Sequence, residues 1–257
     1  MTWTIQSCST ADGPSIAANN IPSFFPLPMW RLQWPTHITP AFLISQLILR
    51  QPHRLLRERD TLRHQKALDP VTGHLVGYAR WRLPPSRTLT PEGEPEWKEA
   101  QIPEVSEERM RELEKMAREV WWEPRTDVDV LDEGNDEARG RVCAGREVLG
   151  EFVETETEGG ELLMGVELEF LAVHPENQGR GIGTALVESG LREAERMGLP
   201  VVVVCWKEAM GMYRKLGFVE VERVERDDRP FGGTGEYTWY FMVWDKTSEI
   251  GDGKKQE

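Results

Sequence analysis

The sequence predicts an α/β protein, and three observations carry that reading. Val201 to Trp206 opens with four consecutive valines and shows no polar alternation, the pattern of a strand buried on both faces. Thr61 to Ala67 and His74 to Arg82 flank Asp69-Pro70-Val71-Thr72-Gly73, a good turn sequence, and read as a β-hairpin. Gly183 to Met197 has the three- and four-residue apolar spacing of a helix, closed by Gly198 and Pro200.

The other elements follow in order. Trp3 to Cys8 reads as a short strand and Ala11 to Asn20 as a weak helix. Ile21 to Pro40 is punctuated by prolines and large aromatics, and Pro40 to Leu49 reads as a second helix. Glu161 to Val173 alternates as a strand, with Leu162, Met164, Val166, Leu168, Phe170 and Ala172 on one face. Glu167 and Glu169 then share the other face with Leu171 and Val173. Lys207 to Leu216 is a short helix stopped by Gly217. Phe218 to Val224 and Tyr237 to Trp244 are strands, joined by a glycine-rich loop from Asp227 to Gly235.

The chain of 257 residues is long enough to bury a core without disulfide or metal staples. Its three cysteines, Cys8, Cys143 and Cys205, are scattered and odd in number, which favours a reducing, cytoplasmic or nuclear compartment. No Cys/His cluster has metal-ligand spacing, so no metal is expected. A net charge of −13 weighs against a nucleic-acid partner. No apolar run reaches the ~18 residues of a membrane span, and the first residues lack a signal-peptide pattern.

The charge is concentrated. Pro84 to Gly160 holds 22 acidic and 10 basic side chains, nearly the whole excess. With its proline-rich start, this segment reads as an acidic insertion outside the core. One part is helical by pattern: Ser106 is an N-cap, Glu107 and Glu108 suit the dipole, and Met110, Leu113, Ala117, Val120 and Trp121 share a face. The organisation expected is one domain over residues 1–247, an insertion at about 84–160, and a polar tail at 248–257.

Chemistry concentrates in Val173-His174-Pro175-Glu176-Asn177-Gln178-Gly179-Arg180-Gly181-Ile182-Gly183-Thr184. A strand leads into a glycine-rich turn and a helix start. The free amides and dipole of such a start favour an anion, and the glycines admit a phosphate close to the backbone. A Walker A loop is excluded by the lack of Gly-Lys-Ser/Thr, and the dinucleotide fingerprint fails because Leu186 stands where its third glycine belongs. The spacing is Gln-x-x-Gly-x-Gly. Downstream, Ala209-Met210-Gly211-Met212-Tyr213-Arg214-Lys215-Leu216-Gly217-Phe218 forms a second motif.

In order and separation, these two motifs resemble the GNAT acetyltransferase superfamily from about Glu161 to Trp244. The resemblance is weaker over Trp3 to Arg82 and does not cover the insertion. It implies a mixed, mostly antiparallel central sheet flanked by helices, the acyl-CoA N-acyltransferase-like fold, and acetyl-CoA as acetyl donor. It implies that Leu171, Ala172 and Val173 offer backbone groups to the pantetheine arm, where strands splay apart. It places the pyrophosphate on Gln178, Gly179, Arg180, Gly181, Ile182, Gly183 and Thr184. Tyr213 resembles the family's general acid, although the apolar face it shares with Met212 and Leu216 also suits a packing role. One departure is Trp206, where an asparagine is common.

Amine attack on a thioester needs a neutral amine, so a base is expected, and Glu167 and Glu169 are the candidates. Both equally fit a solvated sheet face. Trp206 and Trp239 suit either an acceptor pocket or packing, and the insertion suits either a lid or a surface for a protein partner. The activity expected is transfer of an acetyl group to a primary amine in a ternary complex. The alternative is a catalytically silent acyl-CoA-binding module acting through a partner.

Overall fold

A computed structural model describes residues 3–144 and 165–246. It contains strands β1 (Thr4–Ser7), β2 (Leu62–Leu68), β3 (Leu75–Arg82), β4 (Val166–Val173), β5 (Val201–Cys205), β6 (Val219–Arg226) and β7 (Tyr237–Trp244). The helices are α1 (Gly13–Phe24), α2 (Pro28–Leu32), α3 (Pro40–Leu56), α4 (Glu107–Arg118), α5 (Asn135–Ala144), α6 (Ile182–Met197) and α7 (Lys207–Lys215). The strands make one sheet in the order β1-β2-β3-β4-β5-β7-β6. Neighbours are antiparallel except β4 and β5, which are parallel. This is the mixed, mostly antiparallel sheet expected.

The ends of the helices follow local chemistry. Thr39 Oγ1 accepts the Phe42 amide at the start of α3, and Pro40 takes the first helical position, where no N–H is needed. Ser106 Oγ accepts the Arg109 amide at the start of α4, as its sequence predicts. Gly198 closes α6 in the left-handed region, φ 67°. Helix α3 runs past the expected Leu49 to Leu56, because Leu55 and Leu56 are buried against Tyr78.

Helices α6 and α7 cover one face of the sheet. There Trp81, Leu168, Val201 and Val203 pack against Ile182, Leu186, Leu191 and Tyr213. Helices α1, α3, α4 and α5 cover the other face. Residues 84–144 do not lie outside the core, contrary to the sequence reading. Trp97 and Ala100 join the α6 side, Ile102 and Leu113 pack under α3, and Ala138 and Val142 pack on β5 and β7. The segment is a belt around the sheet. Most of its acidic side chains are exposed, Glu96 being a buried exception, while most of its sparse apolar residues are buried at least in part. Expectations for residues 145–164, including Leu162 and Met164, and for the tail at 248–257 lie outside the described residues.

The α6–sheet contact is tight at Gly190. A Cβ there would stand 2.1 Å from Trp81 Cζ2, and Trp81 is fully buried. Gly190→Ala is therefore expected to cost about 1–3 kcal/mol by overpacking. A chain of this size would then lose roughly 2–4 °C of Tm per kcal/mol. An unchanged melting curve would show that Trp81 yields freely.

Candidate functional site

The β4–β5 ladder is short. Val166, Glu167 and Leu168 stand opposite Val201, Val202 and Val203, and the pairing stops there. Both strands continue, β4 to Val173 and β5 to Cys205. The strands therefore diverge, and residues 169–173 have no partner on β5. Such a wedge needs something to satisfy its backbone groups.

A bulge sits at its mouth. Arg80 stands opposite Phe170 and Trp81 opposite Leu168, leaving Glu169 as the extra residue. The straight alternation expected from sequence fails here. Val166 and Leu168 face α6, but so do Leu171 and Val173, while Phe170 turns to the α3 side beside Tyr78. Glu167 and Glu169 are thus not in line with Leu171 and Val173. One extra residue reverses the period-two pattern beyond it.

The glycine-rich turn lies at the end of β4. Gly179 and Gly181 have φ of 74° and 80°, a region that favours glycine. Gly181 caps α6, so the first-turn amides of Ile182, Gly183 and Thr184 are at the helix's positive end. The Ile182 side chain points into the core, leaving only its backbone for a ligand. A Cβ on Gly183 would lie 3.1 Å from Met212 Sδ and 3.8 Å from Leu171 Cδ2 and Val173 Cγ2. Gly183 is therefore where α6, β4 and α7 meet.

Three expected ligands are held by the protein itself. Gln178 Nε2 donates to the Val173 carbonyl at 3.1 Å, bracing the turn against β4. Arg180 donates to Asn177 Oδ1 at 2.7 Å and lies over the Trp3 ring, 5.0 Å from its centroid. Ala172 is buried, and its carbonyl accepts from Asn19 Nδ2 at 3.2 Å. The His174 amide donates to Asn19 Oδ1 at 3.1 Å. Buried Asn19 thus finishes the β4 backbone where the ladder ends. The sequence reading missed it, although an asparagine on the apolar stripe of a helix is a usable signal.

Tyr213 is buried on the α6 side and packs edge-on to Phe218, ring centroids 5.3 Å apart. Burial, with Cys205 as a lesser cause, pushes its phenol well above the ordinary range. It therefore holds its proton throughout the neutral range. Glu167 is buried, and its Oε1 lies 3.3 Å from Arg139 Nη2 of α5. Glu169 pairs with Arg82 Nε. Its Oε2 also lies 2.7 Å from Arg80 Nε, an ion-pair contact whose angle makes no hydrogen bond. Both carboxylates are thus salt-bridged rather than solvated.

Opposite Arg80 on β2 lies a buried His64, its Nδ1 2.8 Å from the Tyr78 hydroxyl. Burial first, then Arg80, Arg63 and Arg54, push its imidazole down to about 3. The unfolded chain takes up this proton near pH 6.5, while the folded chain refuses it until about 3. Stability conferred by neutral His64 is therefore complete above pH 6.5. It falls as pH drops through that window, by up to about 1.4 kcal/mol per unit. Urea midpoints measured across this range should fall less steeply in His64→Gln than in the parent; parallel curves would refute the assignment.

Residues 136–220 match the family model described as an acetyltransferase (GNAT) domain. That match covers about a third of the chain, and over this segment the chain is similar to GNAT acetyltransferases. The matched residues hold β4, the turn, α6, β5 and α7, the elements that build the wedge. A mycothiol acetyltransferase of Streptomyces coelicolor is 32% identical over 129 residues, 48% of this chain and 36% of that protein. The match thus spans little more than a third of that relative. Among solved structures, a Corynebacterium glutamicum histone acetyltransferase and related acetyltransferase is 17% identical with a TM-score of 0.53. It is matched over 95% of this chain and 97% of its own. A Drosophila melanogaster polyamine N-acetyltransferase is 14% identical with a TM-score of 0.50, over 95% and 99%. At these identities the likeness is one of GNAT fold.

Proposed function

We propose that the chain is an N-acetyltransferase that moves an acetyl group from acetyl-CoA to a primary amine within a ternary complex. The observation that carries this reading is the open β4–β5 wedge, with the amide-bearing start of α6 at one side and the Tyr213 helix at the other. The residues fit the donor. The wedge leaves β4 backbone groups for amides of a pantetheine arm, and the α6 amides suit a pyrophosphate. The donor supplies an activated thioester carbonyl. Leu171, Val173 and Gly183 bound the slot for the arm. The Val173 region offers a backbone N–H to the developing negative charge. Tyr213 holds a proton for the departing sulfur, whose ordinary pKa of about 8.5 makes that donation useful rather than demanding. Proximity in the complex does much of the remaining work, so no covalent enzyme intermediate is needed.

The amine must lose a proton. Glu167 is paired with Arg139, and Glu169 with Arg80 and Arg82, so each carboxylate is already engaged by a guanidinium. This favours a proton path through water to solvent over direct transfer to either glutamate. It also keeps the second reading alive: a silent acyl-CoA-binding module with a protein partner on the acidic belt. The absence of a disulfide at Cys8 and Cys205 among the described residues supports a cytoplasmic setting.

The test is free-thiol release from acetyl-CoA against polyamines, arylamines, aminoglycosides, amino acids and lysine peptides. Amine-dependent release is the expected result. Saturable acetyl-CoA binding without release from any amine would favour the silent module.

A further inference from the structure

On the α3 side of the sheet, guanidiniums gather beside the bulge. Arg50 and Arg54 stand four residues apart on α3, hence on one face of that helix. Arg80 of β3 lies over the Phe170 ring, 5.9 Å from its centroid, and Arg50 lies over Trp122 at 4.8 Å. Among the described residues, neither Arg50 nor Arg54 forms an ion pair, and Arg50 Nη1 is buried without a hydrogen bond. The nearby carboxylates are engaged elsewhere. Glu58 lies 2.6 Å from Arg82, Glu169 is shared by Arg80 and Arg82, and Glu114 lies 2.5 Å from Arg118.

Half-buried charges without partners are costly, and like charges together more so. Burial, then Arg80 and Arg50, bring Arg54 down to about 10; burial and Arg57 lower Arg50 as well. That cations should crowd here, in a chain of net charge −13, needs a reason. The place supplies one. Phe170 touches Phe24 at 4.8 Å, and Phe24 touches Trp206 at 6.0 Å, where β5 ends. A strip of half-buried rings thus runs from Arg80 to the mouth of the wedge.

We propose that Arg54, with Arg50 and Arg80, holds a carboxylate on the acceptor, so that the amine acetylated belongs to an amino-acid-like molecule rather than a polyamine. The inference rests on the acetyltransferase reading above. Guanidinium forks match a carboxylate in two hydrogen bonds, and an acceptor bound here would neutralise the cluster while its apolar part lies on the rings.

Matched acceptors test it: phenylalanine against phenylethylamine, lysine against 1,5-diaminopentane, and phosphoethanolamine against ethanolamine. The wild type should show a kcat/KM for each carboxylate member at least about tenfold above its partner, the effect of about 1.4 kcal/mol. Arg54→Gln should lower kcat/KM for phenylalanine about tenfold more than for phenylethylamine, and Arg54→Lys should recover part of the difference. Without acetyl-CoA, millimolar phenylalanine should raise the Tm of the wild type but not of Arg54→Gln. If that variant fails to fold, Arg50→Gln and the wild-type pairs carry the same comparison. Equal or reversed preference in a protein that releases thiol overturns the proposal, as does preference for the phosphate pair alone. Failure to bind acetyl-CoA would instead remove the acetyltransferase reading beneath it.

Discussion

Tyr213→Phe is expected to lower kcat for acetyl transfer by roughly 10²-fold or more, the range of a lost general acid. Acetyl-CoA affinity and Tm should hold. The substitution removes one oxygen from a ring that is buried and packed against Phe218, so the core contacts survive. What disappears is the proton that burial keeps on the phenol. The loss should be smallest for thioesters whose thiol is already a good leaving group. A series of acyl donors with thiols of falling pKa would therefore read the role directly. Equal rates in both proteins across that series would make Tyr213 a packing residue, and equal silence in both would favour the binding module.

The second large effect is loss of donor binding. Gly181→Glu and Gly183→Glu should each raise the acetyl-CoA Kd at least about 100-fold, roughly 2.7 kcal/mol. The two act differently. Gly181 holds φ 80°, which costs a non-glycine residue about 1–2 kcal/mol and turns the α6 amides away from their aim. At Gly183 the backbone is ordinary, but a side chain would fill the junction of Met212, Leu171 and Val173. Either glutamate also adds negative charge where the helix start attracts an anion. Titration calorimetry decides the matter. Gly183→Ala serves as the milder control, since Met212 needs to give only a few tenths of an ångström. Unimpaired binding in both glutamate variants would move the pyrophosphate away from this turn.

Much of the site was legible because its signals are local. Positive φ at Gly179 and Gly181, the stop at Gly198 and the cap at Ser106 each depend on a few consecutive residues. So do the four valines of β5 and the hairpin turn after Asp69. The face assignment of β4 went wrong for the opposite reason. Nothing within Val166–Val173 marks Glu169 as the extra residue; the bulge exists only in register with Arg80 and Trp81, almost ninety residues earlier. The belt misled in a related way. Its composition is dominated by exposed acids, so Trp97, Ile102 and Leu113 looked too few to matter until the sheet and α3 supplied their partners.

By itself, then, the sequence determined the type of each main element, the anion-attracting start of α6 and the family that this pairing of motifs resembles. Those follow from backbone preference and short-range spacing. Only the tertiary structure decided that the β4–β5 ladder stops at Leu168 and that Asn19 finishes the strand beyond it. It alone paired both glutamates and brought Arg50 and Arg54, which form no ion pair among the described residues, close to Arg80. The reason is physical: a charge or backbone group takes its role from the neighbours that packing brings to it, and those neighbours lie tens to more than a hundred residues away in the chain.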